Sequence, residues 1–310
     1  MFRLRLLIHL TFILIGLTAC QAAATDSVKL PQVIASTTIV GDVVQAVAGD
    51  TIELTTLLPP GTDPHTFEPS PQDISKISDA NLIFLNGAGL EELMEPLIAN
   101  AGGSEKAIHL SDGIVLLEGS GEDIHTATES SPTHTTGDPH VWTDPNNILV
   151  WVDAIEAALS ELNPEEAAVY QANAAQYQAD LKALDEWIQA EVAQIPAQNR
   201  KLVTDHLEFT YFAKRYGFTL TGAVIPNYST SADTSAQDLA ALEDVIRAQG
   251  VQAIFVGNTT NPDLAQQVAE DTGVQLVSLL TGSLTEPGGA ASTYLDYMRY
   301  NVNAITQALQ

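Results

Sequence analysis

Between residues 163 and 195 the chain carries one unbroken helical pattern, and few folds have room for it. Asn163-Pro164-Glu165-Glu166 is a start signal, with Asn as N-cap, Pro in the first turn and acids at the positive end of the helix. Tyr170, Ala174, Tyr177, Leu181, Leu184, Ile188, Val192 and Ile195 then recur at three- and four-residue intervals up to the breaker Pro196. The spacing predicts an amphipathic helix of about 30 residues, roughly 45 Å long. That is too long for an ordinary βαβ crossover. On both sides of it, short apolar runs of strand length alternate with helical patterns: runs at 33–36, 52–58, 82–86 and 107–110 before it, and at 201–204, 219–225, 253–256 and 275–279 after it. Helices are expected from the end of the first run to Ala48, and then over 209–216, 236–248, 262–272 and 293–309. Strands separated by helical connectors form parallel sheets. The predicted fold class is therefore α/β: two lobes, each with a parallel sheet flanked by helices, joined by one long rigid linker helix. The halves share an order of elements but no sequence repeat.

The beginning of the chain is an export signal. MFRLRLLIHLTFILIGLTAC has Arg3 and Arg5, an apolar stretch from Leu6 to Leu17 and small residues ending at Cys20. The stretch is shorter than the roughly 20 apolar residues of a membrane span. Leu17-Thr18-Ala19-Cys20 resembles a bacterial lipobox, in which the cysteine is lipidated and becomes the first mature residue; a plain signal peptide with an incidental cysteine is the alternative. Cys20 is the only cysteine, so no intramolecular disulfide can form. The boundaries that follow are 1–19 signal peptide, 20–30 lipidated tether, 31–162 N-terminal lobe, 163–195 linker helix and 196–310 C-terminal lobe. The expected location is outside the cytoplasm, held by lipid at the outer face of the cytoplasmic membrane or in the periplasm.

With 12 Lys+Arg against 39 Asp+Glu and a net charge of -27, the chain has no basic stripe for phosphates, which excludes nucleic acid as a partner. The acidity favours cations only in a general way. The histidines are more selective. His65 lies in Pro60-Gly61-Thr62-Asp63-Pro64-His65, His140 in Asp138-Pro139-His140-Val141-Trp142, and His206 in Thr204-Asp205-His206. Each follows a strand or a stiff loop, where open α/β sheets bind ligands, and Pro restrains the first two. Imidazole suits a divalent transition metal through one nitrogen while an acceptor holds the other; Asp63, Asp138 and Asp205 are near enough in sequence to serve. His109 lies in a strand pattern and reads as structural. His125 and His134 lie in the Ser/Thr-rich acidic loop 118–138, either as an auxiliary metal-gathering loop or as a solvated one.

Pro-Gly-Thr-Asp-Pro-His-x-Phe-Glu-Pro at 60–69, Asp-Pro-His-Val-Trp-x-Asp-Pro at 138–145 and Asp205-His206 followed by Phe209-x-Tyr211-Phe212-x-x-Arg215-Tyr216-Gly217 resemble, in order, three ligand motifs of one family. It is the metal-binding solute-binding proteins of zinc and manganese ABC transporters, known as cluster A-I or cluster 9. Asn86-Gly87-x-Gly89-Leu90-Glu91 and Tyr294-x-x-x-Met298-Arg299-x-Asn301 match further landmarks, so the resemblance runs from about residue 31 to the end. It implies a two-lobed binding protein with metal held between the lobes by His65 and His140 from the first and His206 from the second. It also implies delivery to an ABC permease with a cytoplasmic ATPase, by a monomer.

The family's further acidic ligand falls at Gly282, and another acidic position at Gly257, so negative charge is expected to be short in the second lobe. Three imidazoles with one open position suit tetrahedral Zn²⁺, with water or a loop side chain as fourth ligand; Mn²⁺ or Fe²⁺ is the alternative. Two other functions compete with transport. Three imidazoles and a water also make a zinc hydrolase, which needs a general base and a substrate cleft. Adhesion labels attach to the family, so a surface adhesin is the other. Neither accounts for the ordered motifs and the tether, and the chain reads as a binding protein rather than an enzyme.

Overall fold

A computed structural model describes residues 29–117 and 137–310. Gln32–Ala35 (β1), Glu53–Thr56 (β2), Leu82–Leu85 (β3) and Ala107–His109 (β4) form one sheet in the order β2-β1-β3-β4, with every pair parallel. Lys201–Thr204 (β5), Thr219–Ala223 (β6), Ala253–Val256 (β7) and Gln275–Ser278 (β8) repeat that order as β6-β5-β7-β8, again parallel. Position in the sheet explains the composition of each strand. The Ala-Ile-Phe-Val of inner β7 is buried at every residue, whereas Gln275, Leu276 and Ser278 of edge β8 are exposed. In both sheets the chain moves outward from the first strand and then returns to its other side. The β1/β3 and β5/β7 junctions are thus the switch points outside whose carboxyl ends ligands bind.

The helices are Thr38–Ala48 (α1), Pro71–Asp79 (α2), Glu95–Asn100 (α3), Pro145–Leu162 (α4), Ala167–Val192 (α5), Thr210–Tyr216 (α6), Ala236–Gln249 (α7), Asp263–Thr272 (α8) and Tyr294–Leu309 (α9). Side-chain caps fix several starts. Thr37 accepts from the Val40 amide, and Ser70 with Asp73 and Ser235 with Asp238 form reciprocal capping boxes. Helix α5 joins the lobes and buries Tyr170, Ala174, Tyr177, Leu181, Leu184, Ile188 and Val192. It begins later than the sequence predicts, because Pro164–Glu166 is a tight 3-10 turn and the Asn163 side chain caps nothing. Helix α4 was not anticipated from the sequence. Asp144 caps it by accepting from the Asn146 amide, Pro145 opens it, and it buries Ile148, Trp151, Val152, Ile155 and Leu159.

One hydrophobic core runs through both lobes. It takes Val43 and Val47 from α1, Trp151 and Ile155 from α4, Leu181 and Ile188 from α5, Phe212 from α6 and Val302 and Ile305 from α9. Separate smaller cores cover the far face of each sheet. Polar clamps fasten α5 at both ends. Thr51 Oγ1 donates to Tyr170 Oη at 2.9 Å and Asn173 Nδ2 to the Val47 carbonyl at 3.0 Å. Further along, buried Asp185 accepts from Arg215 Nε at 3.1 Å and Nη2 at 2.6 Å, Tyr216 Oη at 2.8 Å and Asn146 Nδ2 at 3.3 Å. That carboxylate ties the linker to α4 and to α6 together. Residues Pro31–Gln310 consequently form a single compact unit.

Among the described residues no helix is long and apolar enough to cross a membrane. The leader with Cys20, and His125 and His134, lie outside the described residues.

Candidate metal centre

The three histidines singled out from sequence meet in one place. His65 stands in the loop after β2, His140 at the end of the long connection from β4, and His206 directly after β5. Nε2 of His140 lies 3.1 Å from Nε2 of His65 and 3.1 Å from Nε2 of His206. Their ring centroids are 5.0 to 5.5 Å apart. His140 and His206 are buried and His65 is half-buried. His109 is elsewhere, paired with Leu85 across the first sheet.

Carboxylates aim two of the rings. Asp138 Oδ1 lies 2.7 Å from Nδ1 of His140 and also accepts that residue's backbone N–H at 2.9 Å. Asp205 Oδ1 lies 2.9 Å from Nδ1 of His206 and accepts its backbone N–H at 2.7 Å. The acids are themselves anchored. Asp138 Oδ2 accepts from Thr210 Oγ1, while Asp205 Oδ2 accepts from the Gly257 amide at 2.8 Å and Thr260 Oγ1 at 2.5 Å. A Cβ at position 257 would come within 3.0 Å of Asp205 Oδ2 and 2.7 Å of Thr281 Cγ2, so the close approach requires glycine. Because Nδ1–H of each ring donates to its carboxylate, the facing Nε2 atoms of His140 and His206 both present lone pairs. Two acceptors 3.1 Å apart repel unless a cation stands between them.

The protonation state suits that purpose. Burial, reinforced by His140 and His206, pulls His65 down to about 2. Burial likewise lowers His140, against the pull of Asp138. Burial alone would raise Asp205, but hydrogen bonds from His206, Thr260 and Gly257 hold it well below the usual carboxylate range. Neutral imidazole, the form that burial favours at His65 and His140, is the form that binds a metal.

Sequence reasoning missed Glu208. It is buried, its Oε2 is 3.8 Å from Nε2 of His206, and it lines the same small cavity as the three histidines. Burial first, and then the charge of Asp205, push its carboxyl well above the ordinary range. The signal was present in Leu207-Glu208-Phe209, an acid between apolar residues two positions after a candidate ligand. Positions 257 and 282 carry no acid, as expected, and the carboxyl groups that the second lobe does place at the site are those of Asp205 and Glu208. Gly282 does line the cavity, as its place in the motif implies, but no side chain fits there: a Cβ would meet Pro64 Cδ at 2.7 Å. A larger cavity of about 480 Å³, bordered by Gly89, Pro139 and Tyr228, opens beside His65.

Residues 33–308 match the family described as ZnuA, the periplasmic component A of the zinc-uptake complex. The manganese-binding lipoprotein MntA of Bacillus subtilis is 31% identical over 317 residues, covering 96% of this chain and 97% of its own. MntA of Halalkalibacterium halodurans is also 31% identical, over 90% of this chain and 88% of its own. Among solved structures, the periplasmic zinc-binding protein TroA from Treponema pallidum superposes with a TM-score of 0.79 at 27% identity, covering 90% of this chain and 99% of its own. A manganese-bound periplasmic metal-binding protein from Candidatus Liberibacter asiaticus superposes with a TM-score of 0.77 at 28% identity, covering 91% of this chain and 100% of its own.

Proposed function

Since the chain belongs to the ZnuA family of metal-binding lipoproteins of ABC transporters, we propose that it captures Zn²⁺ as cargo through His65, His140 and His206. It then hands the ion to a permease driven by a cytoplasmic ATPase. The protein is the extracytoplasmic component of that importer, a monomer tethered through lipid on Cys20 after removal of residues 1–19. The relatives named above are binding proteins and not enzymes. The loop with His125 and His134 serves as an auxiliary gatherer of metal.

The observation that carries this reading is the pair of facing Nε2 atoms at 3.1 Å, each with its Nδ1 committed to a carboxylate. Such a carboxylate–histidine arrangement fixes tautomer and ring direction and raises ligand basicity. Three imidazoles favour zinc over harder, oxygen-seeking ions. Capture involves no bond making in a substrate. The preset rings exchange water and any bound protons for the ion, and release follows when contact with the permease disturbs one of them.

A second reading, manganese as the cargo, is favoured by the printed names of the MntA relatives. Equilibrium competition followed by elemental analysis separates the two, together with isotope uptake in a deletion strain. Zinc retained over equimolar manganese, with zinc uptake lost on deletion, is expected. Manganese retained over zinc, or a deletion that abolishes manganese uptake alone, overturns the zinc reading. Labelling with radioactive palmitate that survives Cys20→Ser would overturn the anchor.

A further inference from the structure

Between β8 and α9 the chain leaves the second sheet and crosses to the loop that carries His65, and its backbone is held stiffly on the way. Asn301 of α9 accepts the Leu280 N–H at 2.8 Å and donates Nδ2 to the Leu280 carbonyl at 2.7 Å. The Thr281 N–H donates to Asn258 Oδ1 at 3.0 Å, and Tyr297 Oη donates to the Thr281 carbonyl at 2.7 Å. Two successive residues thus have both backbone groups satisfied by side chains of their own lobe. Asn301 and Tyr297 are buried, so water does not compete for these bonds. Gly282 and Ser283 follow from a fixed platform.

Ser283, at 1% exposure, joins that platform to the first lobe. Its Oγ accepts the Gly61 N–H at 2.8 Å and donates to the Leu284 carbonyl at 3.0 Å. With that proton committed, the 3.3 Å contact with Thr38 Oγ1 is a bond that Thr38 donates, and Thr38 Oγ1 in turn accepts the Leu284 N–H at 2.9 Å. Thr38 opens α1, and one turn further on Asp42 accepts the Tyr294 N–H at 2.8 Å. Helix α1 therefore holds the crossing segment at both ends.

The loop on the other side leans on this hydroxyl. Pro59 and Pro60 have no N–H, the Thr62 N–H closes a turn on the Pro59 carbonyl at 3.1 Å, and the His65 N–H returns to Asp63. Gly61, at φ 78°, is where a backbone donor of the loop reaches the second lobe. Pro64 packs on the same segment, so closely that a Cβ at 282 would meet its Cδ at 2.7 Å. His140 and His206 each have a carboxylate on Nδ1, whereas His65 takes its position from this backbone.

From this we infer that Ser283 is a positioning residue for metal capture, a second-lobe hydroxyl that presets the first-lobe loop of His65. The inference rests on the three-imidazole reading above. His65 must stand near His140 when the ion arrives, and a loop free to wander would bind only in the fraction of molecules where it does. Ser283 raises that fraction without touching the ion. Asn301 and Tyr297 gain a part in the site as well, because they hold the platform from which Ser283 reaches across.

The test uses the mature protein, with Zn²⁺ affinity read by competition against a chelator. Ser283→Ala is measured alone and combined with His65→Ala or with His140→Ala. Alone, it is expected to weaken Zn²⁺ binding about fivefold, as when the preset loop is kept in one molecule of five. That loss should vanish beside His65→Ala and persist beside His140→Ala, a coupling that a merely structural serine would not show. In the apo variant the Gly61 amide should exchange faster with solvent. Thr38→Val, which removes the hydroxyl behind Ser283, should show a smaller loss with the same dependence on His65, and carries the test if Ser283→Ala does not fold. Wild-type affinity in Ser283→Ala overturns the inference, and so does an equal loss beside both histidine variants. If the wild type binds no Zn²⁺, or His65→Ala binds as the wild type does, the three-imidazole reading fails and the inference with it. If His65→Ala weakens binding and Ser283→Ala does not, the inference alone fails.

Discussion

The tripeptide Asp-Pro-His occurs twice, at 63–65 and 138–140, and the two copies share a turn but not a role. In each, the histidine N–H donates to the aspartate two residues back, at 3.0 Å and 2.9 Å. This is the local turn that Asp readily makes with its own backbone. At 138 the same carboxylate also takes the ring Nδ1, and α6 braces it through Thr210 Oγ1 and through Tyr211 Oη on the Asp138 carbonyl at 2.8 Å. At 63 the second oxygen goes instead to Thr230 Oγ1 at 2.6 Å, and no carboxylate holds the His65 ring among the described residues. Short-range sequence sets the turn, and the opposite lobe decides whether the ring is fixed. His140 is the fixed centre to which both 3.1 Å contacts run, while half-buried His65 borders the larger cavity, and on the proposed reading it is the entry ligand.

Replacing each histidine by alanine is the strongest way to break this contrast. A ligand's share of the roughly 10–16 kcal/mol typical of protein zinc sites is some 3–4 kcal/mol. His140→Ala is therefore expected to weaken Zn²⁺ binding by roughly a hundred- to a thousandfold, and His65→Ala by less. Equal losses in competitive titration would abolish the division between centre and entry ligand. The next effect separates the two aspartates. Asp138→Asn should cost about 10–100-fold in affinity, as expected for the partner that orients a metal-binding ring. Asp63→Asn, whose amide oxygen can still accept the turn's N–H, should cost only a few-fold. Matching losses in the two variants would mean that both turns orient their rings.

How much of this was legible beforehand depended on range. The apolar spacing of α5 and the strand runs are local patterns, and the alternation placed the lobes and the linker. Asp-Pro-His at 63 and 138 marked the ligand loops because the tripeptide fixes its own geometry. What brings Thr210 to Asp138 and Thr230 to Asp63 is packing between lobes, which no local pattern records. Helix α4 escaped notice although Asp144-Pro145 is a good start signal, because its apolar residues are dense enough to blur the periodicity. Glu208 escaped because nothing local to Leu207-Glu208-Phe209 records that the fold buries this acid at the cavity.

The contrast between the turns also requires that the lobes stay in register, and Asp185 tests this more gently. Its carboxylate is lowered below the ordinary value: burial raises it, but Arg215 and Tyr216 outweigh burial. A depressed folded-state value means that the stabilisation is present above the unfolded carboxylate range and is lost as pH falls through and below it. Asp185→Asn should therefore lower stability by about 1.5 kcal/mol at pH 7, a cost typical of a lost hydrogen bond to a charged group. The difference from wild type should shrink below about pH 4, where the wild-type carboxylate takes up a proton. A constant difference from pH 7 to pH 3 would mean that shape, and not charge, holds the linker to α6.

The smallest effect concerns motion. Because one core passes from α1 through α4 and α5 into α6 and α9, opening the lobes as hinged bodies would expose residues such as Trp151, Leu184 and Phe212. Each side chain of that size contributes about 1.5–3 kcal/mol by its burial. The cost of a wide hinge thus mounts with every core residue exposed and offsets much of what one ion can supply, so adjustment is expected in the loops that carry His65 and its neighbours. Solution scattering of the apo and zinc-loaded protein should give the same radius of gyration, with hydrogen exchange slowed in residues 57–70 more than around 137–144. A measurable contraction on zinc binding would show that the two Asp-Pro-His turns are brought together by closure rather than held ready for the ion.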